Sequence, residues 1–187
     1  MRNGTWQTPT LVVLRSYPSI HDSHLRDDPR NAYMPDDLRR FWDSMGGAPD
    51  PRNDEIQLRL FAQDIQIVGA MHSLHVPLLA GTDTSNPYTY PGFSLHEELQ
   101  LFVSAGLSPM EALRTATLRA VDFLGIQHDF GSAEEGKIAN LVLLDANPAD
   151  DIRNTQKIRG VILRGKFFNR ENLDGLLTRE KASIARQ

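Results

Sequence analysis

The 187-residue chain contains no cysteine, which excludes disulfide crosslinks, thiolate metal ligands and a cysteine nucleophile. It has no apolar run near the ~20 residues of a membrane span. Its opening residues, Met1-Arg2-Asn3-Gly4-Thr5-Trp6, lack the apolar stretch of a secretory signal. Neither sign of charge dominates: 20 Lys and Arg stand against 24 Asp and Glu, for a formal net charge of −4. No basic concentration follows that would track a phosphate backbone. These absences remove nucleic acid and membrane as expected partners and lead to the expectation of a soluble, cytoplasmic protein. The length suits one domain with a sizeable core, but a complete eight-stranded α/β barrel needs roughly 250 residues.

What is present is organised around Val76-Pro77-Leu78-Leu79-Ala80-Gly81-Thr82-Asp83. Apolar residues bounded by a proline and by Gly-Thr-Asp read as a short strand buried on both faces, with a carboxylate where the apolar run stops. The carboxyl end of a buried parallel strand is where α/β enzymes build their sites, since loops there vary while the strand holds a residue rigid. Asp83 is the first catalytic candidate. The alternative is that its side chain caps the following turn by accepting nearby backbone N–H groups.

Residues 8–14 form a second β-branched apolar run and read as another buried strand. Residues 15–54 carry five prolines and a Gly-Gly pair and form a long loop, with a helix at 36–45 that starts after Pro35 on acidic residues. Phe41 and Trp42 on that helix either line a substrate pocket or pack the loop onto the body. His21 and His24 in the loop invite a metal reading, but no third ligand stands near. Apolar spacing over 54–74 predicts an amphipathic helix, with His72 and His75 in its last turn as cap partners. After Asp83 a turn-rich loop places Tyr88 and Tyr90 as substrate contacts at the same strand end. Gly92-Phe93-Ser94-Leu95-His96 falls short of a nucleophile elbow; Ser94 with Glu97 reads as a capping box instead. Ser108-Pro109-Met110-Glu111 is a second helix start. Residues 139–145 and 158–168 read as an antiparallel strand pair around a polar excursion at 147–157, and 171–187 as a helix or tail.

Met71 to Asp83, followed by Leu95-His96-Glu97-Glu98-Leu99, Ala105-Gly106-Leu107-Ser108-Pro109-Met110-Glu111-Ala112-Leu113, Gly136-Lys137-Ile138-Ala139-Asn140-Leu141-Val142-Leu143-Leu144-Asp145-Ala146-Asn147-Pro148 and Ile158-Arg159-Gly160-Val161-Ile162-Leu163-Arg164-Gly165-Lys166, closely resembles the C-terminal part of the amidohydrolase superfamily, in its imidazolonepropionase-like and dipeptidase-like branch. The resemblance implies an α/β fold: the last part of a (β/α)8 TIM-type barrel over residues 1–126, strands of a small β-sandwich over 127–170, and a helix or tail over 171–187. It makes residues 8–14 the seventh barrel strand, residues 1–7 the end of the preceding helix and turn, and 76–82 the eighth strand. It implies metal-dependent hydrolysis of an amide, cyclic amide or related C–N bond in a small molecule, with esters and lactones as further substrates.

In such enzymes a divalent ion, zinc in the first place, is held by a His-x-His, further histidines, a carboxylated lysine or acidic bridge, and an aspartate on the last strand. Only that aspartate is matched, by Asp83, which therefore carries both the catalytic and the metal expectation; no His-x-His occurs in the chain. The resemblance also puts His96 near the barrel mouth, beside Tyr88, Tyr90 and Trp42 as substrate-lining residues. Where the family has a glycine before the last strand this chain has His75, implying a left-handed backbone there. With the metal set incomplete, the competing reading is a non-catalytic truncated paralogue or interaction module. Both readings expect open sheet edges covered by a homo-oligomer or a partner chain.

Overall fold

The computed structural model describes residues 4–186. In chain order the elements are α1 (Leu11–Ser16), α2 (Ser23–Arg26), a 3-10 turn (Pro29–Tyr33), α3 (Asp36–Met45), α4 (Pro51–Ser73), α5 (Ser94–Ser104), α6 (Pro109–Thr115), α7 (Leu118–Leu124), β1 (Leu141–Leu144), a second 3-10 turn (Ile152–Gln156), β2 (Ile158–Leu163), β3 (Lys166–Asn169) and α8 (Arg170–Ile184). No helix among the described residues is long and apolar enough to cross a membrane.

Local signals start the long helices. Asp50 caps α4 by accepting from the N–H groups of Arg52 and Asn53, with Pro51 in the first turn, where its missing N–H costs nothing. Ser108 and Glu111 close a reciprocal capping box on α6. At the end of α4 the backbone turns left-handed at His75, φ 56°, as the family pattern implied. The N–H groups of Leu74, His75 and Val76 bond the carbonyls of Ala70, His72 and Met71, so backbone groups, not histidine rings, close the helix. The His72 ring lies 3.6 Å from the Glu111 carboxylate on α6 instead.

The expected parallel neighbours exist, but not over the expected residues. Gln7 pairs in parallel with Leu78: its N–H donates to Pro77 O at 3.0 Å and its carbonyl accepts from Leu79 N at 2.9 Å. Gln7 therefore belongs to the strand-like segment, not to a preceding turn; residues 1–3 lie outside the described residues. Residues 8–14 are not a strand. Thr10 adopts a left-handed conformation, φ 51°, and Leu11 opens α1. The cause comes from far along the chain: Glu98 accepts the N–H groups of Leu11 and Val12 at 3.0 and 2.8 Å, satisfying donors a helix start leaves free. The β-branched run is buried as predicted, with Leu11 and Val12 fully so, but as a helix.

Leu11, Val68, Leu78, Leu99, Phe102, Leu107, Ala112 and Ile152 form the main core, which joins α1, α4, α5 and α6 around the Leu78 segment. Phe102 is 0% exposed, a burial that stabilises by roughly 2–3 kcal/mol. At Gly69 a Cβ would stand 2.5 Å from the Ala105 carbonyl oxygen, so the end of α5 rests directly on the α4 backbone. Ala116 ends α6, and α7 begins after Thr117.

Ser94 is not a cap. It is the first residue of α5, fully buried, and its Oγ accepts the Tyr90 N–H at 2.8 Å, while Phe93 holds the cap position. Glu97 does not reach back to the helix start. It pairs with Arg15 at 2.9 Å and Arg30 at 2.8 Å.

The C-terminal strands make one antiparallel sheet in the order β1-β2-β3. The register runs from Leu141 opposite Ile162 to Leu144 opposite Ile158, with an irregularity at Leu143/Leu144. Residues 158–168, expected as a single strand, are a hairpin, with Leu163 opposite Lys166. Its two turn residues, Arg164 and Gly165, both have positive φ, the geometry whose twist matches paired strands. The second sheet of a sandwich is not formed among the described residues. Val142, Leu163 and Phe167 of this sheet are exposed, as are Ile56, Leu58 and Ile67 of α4.

Candidate functional site

Asp83 stands where the extended Leu78 segment gives way to a loop. Its backbone is left-handed, φ 48°, and Ser85 and Tyr88 also have positive φ. Three non-glycine residues in this conformation within six positions store on the order of 1 kcal/mol each, a strain that surrounding contacts must hold. The contacts are present: Trp42 Nε1 donates to Ser85 O at 3.0 Å, Thr84 Oγ1 to Thr89 O at 3.0 Å, and the Tyr17 hydroxyl to Asn86 Oδ1 at 3.1 Å. Asn86 N and Nδ2 both donate to the Asp83 carbonyl, at 3.4 and 2.9 Å. The turn is thus closed on the carbonyl. The Asp83 carboxylate is exposed and makes no hydrogen bond among the described residues, so the capping alternative for this side chain is not realised.

The segment between α1 and α4 covers this loop. Ile20, Met34, Trp42, Tyr88 and Tyr90 form a second buried cluster, in which the Trp42 ring lies 5.5 Å from Tyr88 and 5.9 Å, edge to face, from Tyr90. Trp42 and Tyr88 line a cavity of about 320 Å³ together with Arg26, Asn31, Arg39 and Asp43. The Tyr88 hydroxyl donates to Asp43 Oδ1 at 3.3 Å. Burial, then Asp43, raises its pKa, while Arg26 pulls the other way. Phe41 points to solvent, 55% exposed.

Two expected site residues lie elsewhere. Tyr90 is 1% exposed, its hydroxyl donates to Asn31 Oδ1 at 3.0 Å, and the Arg30 guanidinium sits 4.4 Å over its ring. Burial pushes its pKa well up. It supports the cavity from beneath and does not line it. His96 turns away from the Asp83 loop, with Nδ1 3.0 Å from Thr155 Oγ1, and lines a separate apolar cavity of about 620 Å³ bounded by Leu113, Val121, Leu141 and Ile158. Burial lowers its pKa. A Ser94–His96 nucleophile pair is excluded, because Ser94 is fully buried with its Oγ engaged and His96 faces Thr155.

The remaining histidines do not converge. His21 Nε2 lies 3.1 Å from Gly46 O, and only the backbone of His24 is engaged, by Asp22. Among the described residues there is no group of three or more His, Asp or Glu able to hold a metal ion. One carboxylate does not hold a catalytic cation, for which three protein ligands are usual; the donor set of this chain does not fit a metal centre of its own.

The sequence reading missed the ion network that fixes the covering segment. Arg30 pairs with Asp28 at 2.7 Å and with Glu97 at 2.8 Å. Glu97 and the adjacent Glu98 thus pin both the 3-10 turn and α1 to α5. One signal was available: Ser94, Glu98 and Phe102 fall four apart on the buried stripe of α5, and a carboxylate in such a stripe needs a partner. Arg39 and Asp43 stand four apart on α3 and so share a face; no spacing signal brings Arg26 to them.

Comparison with known proteins agrees with this geometry. The chain is 39% identical over 83 residues to an imidazolonepropionase of Pseudomonas savastanoi pv. phaseolicola, covering 43% of this chain and 20% of that one. It is 35% identical over 88 residues to an ochratoxinase of Aspergillus niger, 46% of this chain and 17% of the other. Among solved structures, bottromycin amidohydrolase superposes with a TM-score of 0.79 at 26% identity, over 97% of this chain and 40% of that one. The chain therefore spans well under half the length of these relatives, and its likeness to them carries a TIM-barrel-type fold of which it forms one part. The model of the amidohydrolase family matches residues 52–168, from the start of α4 to the end of β3, and the chain belongs to that family.

Proposed function

We propose that the chain is the C-terminal share of a small-molecule hydrolase that cleaves an amide, cyclic amide or related C–N bond, with esters and lactones open to the same chemistry. The observation that carries this reading is the Asp83 carboxylate, free of hydrogen bonds among the described residues, at the end of the Leu78 segment and on a loop strained and braced around it. Strain held in this way at one loop marks a functional position. The role assigned to Asp83 is proton acceptor for the attacking water. Trp42 and Tyr88 bound the space for the substrate, and the open sheet β1-β2-β3 is one layer of a small sandwich.

The family's chemistry calls for a divalent cation, with zinc as the expected ion. The residues present do not complete its ligand set, so the remaining ligands belong to another polypeptide segment, and no step is assigned to a metal on this chain. The exposed apolar residues of α4 and the sheet support the same conclusion about partners: a second copy or another chain covers them. The non-catalytic alternative finds no support in the family assignment.

The test is hydrolysis of a panel of N-acyl amino acids, cyclic amides and lactones by the chain together with the polypeptide segment that supplies the remaining ligands, with and without Asp83→Asn. The expected loss in kcat/KM is about 10²-fold or more. Activity that Asp83→Asn leaves within about twofold would sink the role given to this carboxylate.

A further inference from the structure

The cavity over Trp42 carries charges for which proton transfer at Asp83 has no use. Asn31 is fully engaged: its amide nitrogen donates to the carbonyls of Leu25 and Arg26, both at 2.9 Å, and its Oδ1 accepts from Tyr90. Among the described residues Asp43 accepts only the long bond from Tyr88. Arg39 is paired with Asp36 on the exposed side of α3, and Arg26 makes no ion pair among the described residues. The aromatic floor is rigid, since Trp42 is 1% and Tyr88 5% exposed and the indole N–H is tied to Ser85 O, two positions from Asp83. At about 320 Å³ the space is at the small end of ligand pockets, roughly 300–1,000 Å³.

These groups select a ligand. A guanidinium fork matches a carboxylate with two parallel hydrogen bonds, and a carboxylate with spare lone pairs, as at Asp43, matches an N–H. Asp36 already offsets Arg39, which leaves Arg26 against Asp43: one cation and one anion favour a ligand that presents a carboxylate beside a donor, and a phosphate dianion would meet Asp43 as a like charge.

We propose that this cavity is a subsite for the carboxylate-bearing end of the substrate: Arg26 holds the carboxylate, Arg39 adds its field from the pair with Asp36, and Asp43 accepts an adjacent N–H, over a rigid floor of Trp42 and Tyr88. Calling the ligand a substrate rests on the hydrolase reading; the binding chemistry does not.

Binding is read without turnover from Trp42 fluorescence in the full chain carrying Trp6→Phe, which leaves Trp42 as the single tryptophan. The probes are N-acetyl-L-leucine, its amide N-acetyl-L-leucinamide, and inorganic phosphate. The acid is expected to give a saturable change, with the amide about tenfold weaker and phosphate without effect at the same concentration. Arg26→Gln should remove the preference for acid over amide; because Arg26 is exposed, its far-UV circular dichroism should match the parent. Arg39→Gln is the second variant, expected to reduce the preference in part. Equal affinity for acid and amide, an undiminished preference in both arginine variants, or binding of phosphate as tight as the acid would overturn the proposal. The two readings fail separately. Acid binding by the chain, with hydrolysis absent even when the segment supplying the remaining ligands is present, keeps the subsite and removes the hydrolase; Asp83-dependent hydrolysis with no acid preference does the reverse.

Discussion

Glu98 is a fully buried carboxyl that accepts two backbone N–H groups. Burial pushes its pKa from 4.5 up to about 7, against the pull of the Val12 and Leu11 N–H groups and of Arg15. The native state therefore holds a proton more tightly than the unfolded chain. This contribution to stability is complete below pH 4.5 and is lost as pH rises through about 7, by on the order of 3 kcal/mol. His96, with its pKa lowered by burial, works in the opposite sense, losing stability as pH falls. Comparison of the parent with Glu98→Gln separates the two, because the His96 contribution cancels in the difference. Urea midpoints should fall for the parent between pH 5 and pH 8 relative to the variant. At pH 5 the variant should be weaker by about 1–3 kcal/mol, since its amide accepts one N–H where the carboxyl accepts two. A difference between the two proteins that does not change with pH would refute the assignment.

At the scale of elements, the packing of α5 on α4 turns on Gly69. Alanine is better than glycine in a helix by about 1 kcal/mol, yet here its methyl would meet the Ala105 carbonyl at 2.5 Å. Overpacking of about 1–3 kcal/mol should win, and Gly69→Ala should lower the melting temperature; a rise would show that the helices slide apart freely. Elements with their own punctuation were legible in the sequence: the helix begun by Ser108-Pro109-Met110-Glu111, the helix at 36–45 and the β1–β2 pairing. The body of α4 follows from its apolar spacing over 54–74, but its start at Asp50-Pro51 lies where the prolines predict loop, and the left-handed turn at His75 follows only from the family resemblance. Elements decided by a distant partner were not legible. A β-branched run at residues 8–14 looks like a strand until Glu98 supplies two acceptors for its N–H groups, and Ser94 looks like a cap until Tyr90 claims its oxygen. The site follows the same division: the position of Asp83 is readable from the end of an apolar run, whereas the burial of Tyr90, the departure of His96 towards Thr155 and the placing of Arg26 and Asp43 on one cavity depend on how the covering segment folds back.

The whole molecule exposes apolar side chains on α4 and on the sheet, including Leu58, Ile67, Val142, Leu163 and Phe167, and both outer strands of the sheet have one neighbour each. Exposed apolar surface and unpaired strand edges drive association, so light scattering on a sizing column should give a mass above 21.0 kDa that rises with loading. A constant monomer mass across concentration would show these surfaces to be inert. The Gln7–Leu78 pairing adds a question of time. Its partners lie roughly seventy positions apart, whereas Leu163 and Lys166 close across a two-residue turn, and contacts distant in sequence form late. A ribosome adding about 5–20 residues per second releases Gln7 several seconds before Leu78. Through that interval the segment that will flank the Asp83 loop waits as an unpaired edge, open to any other polypeptide that offers a complementary strand first.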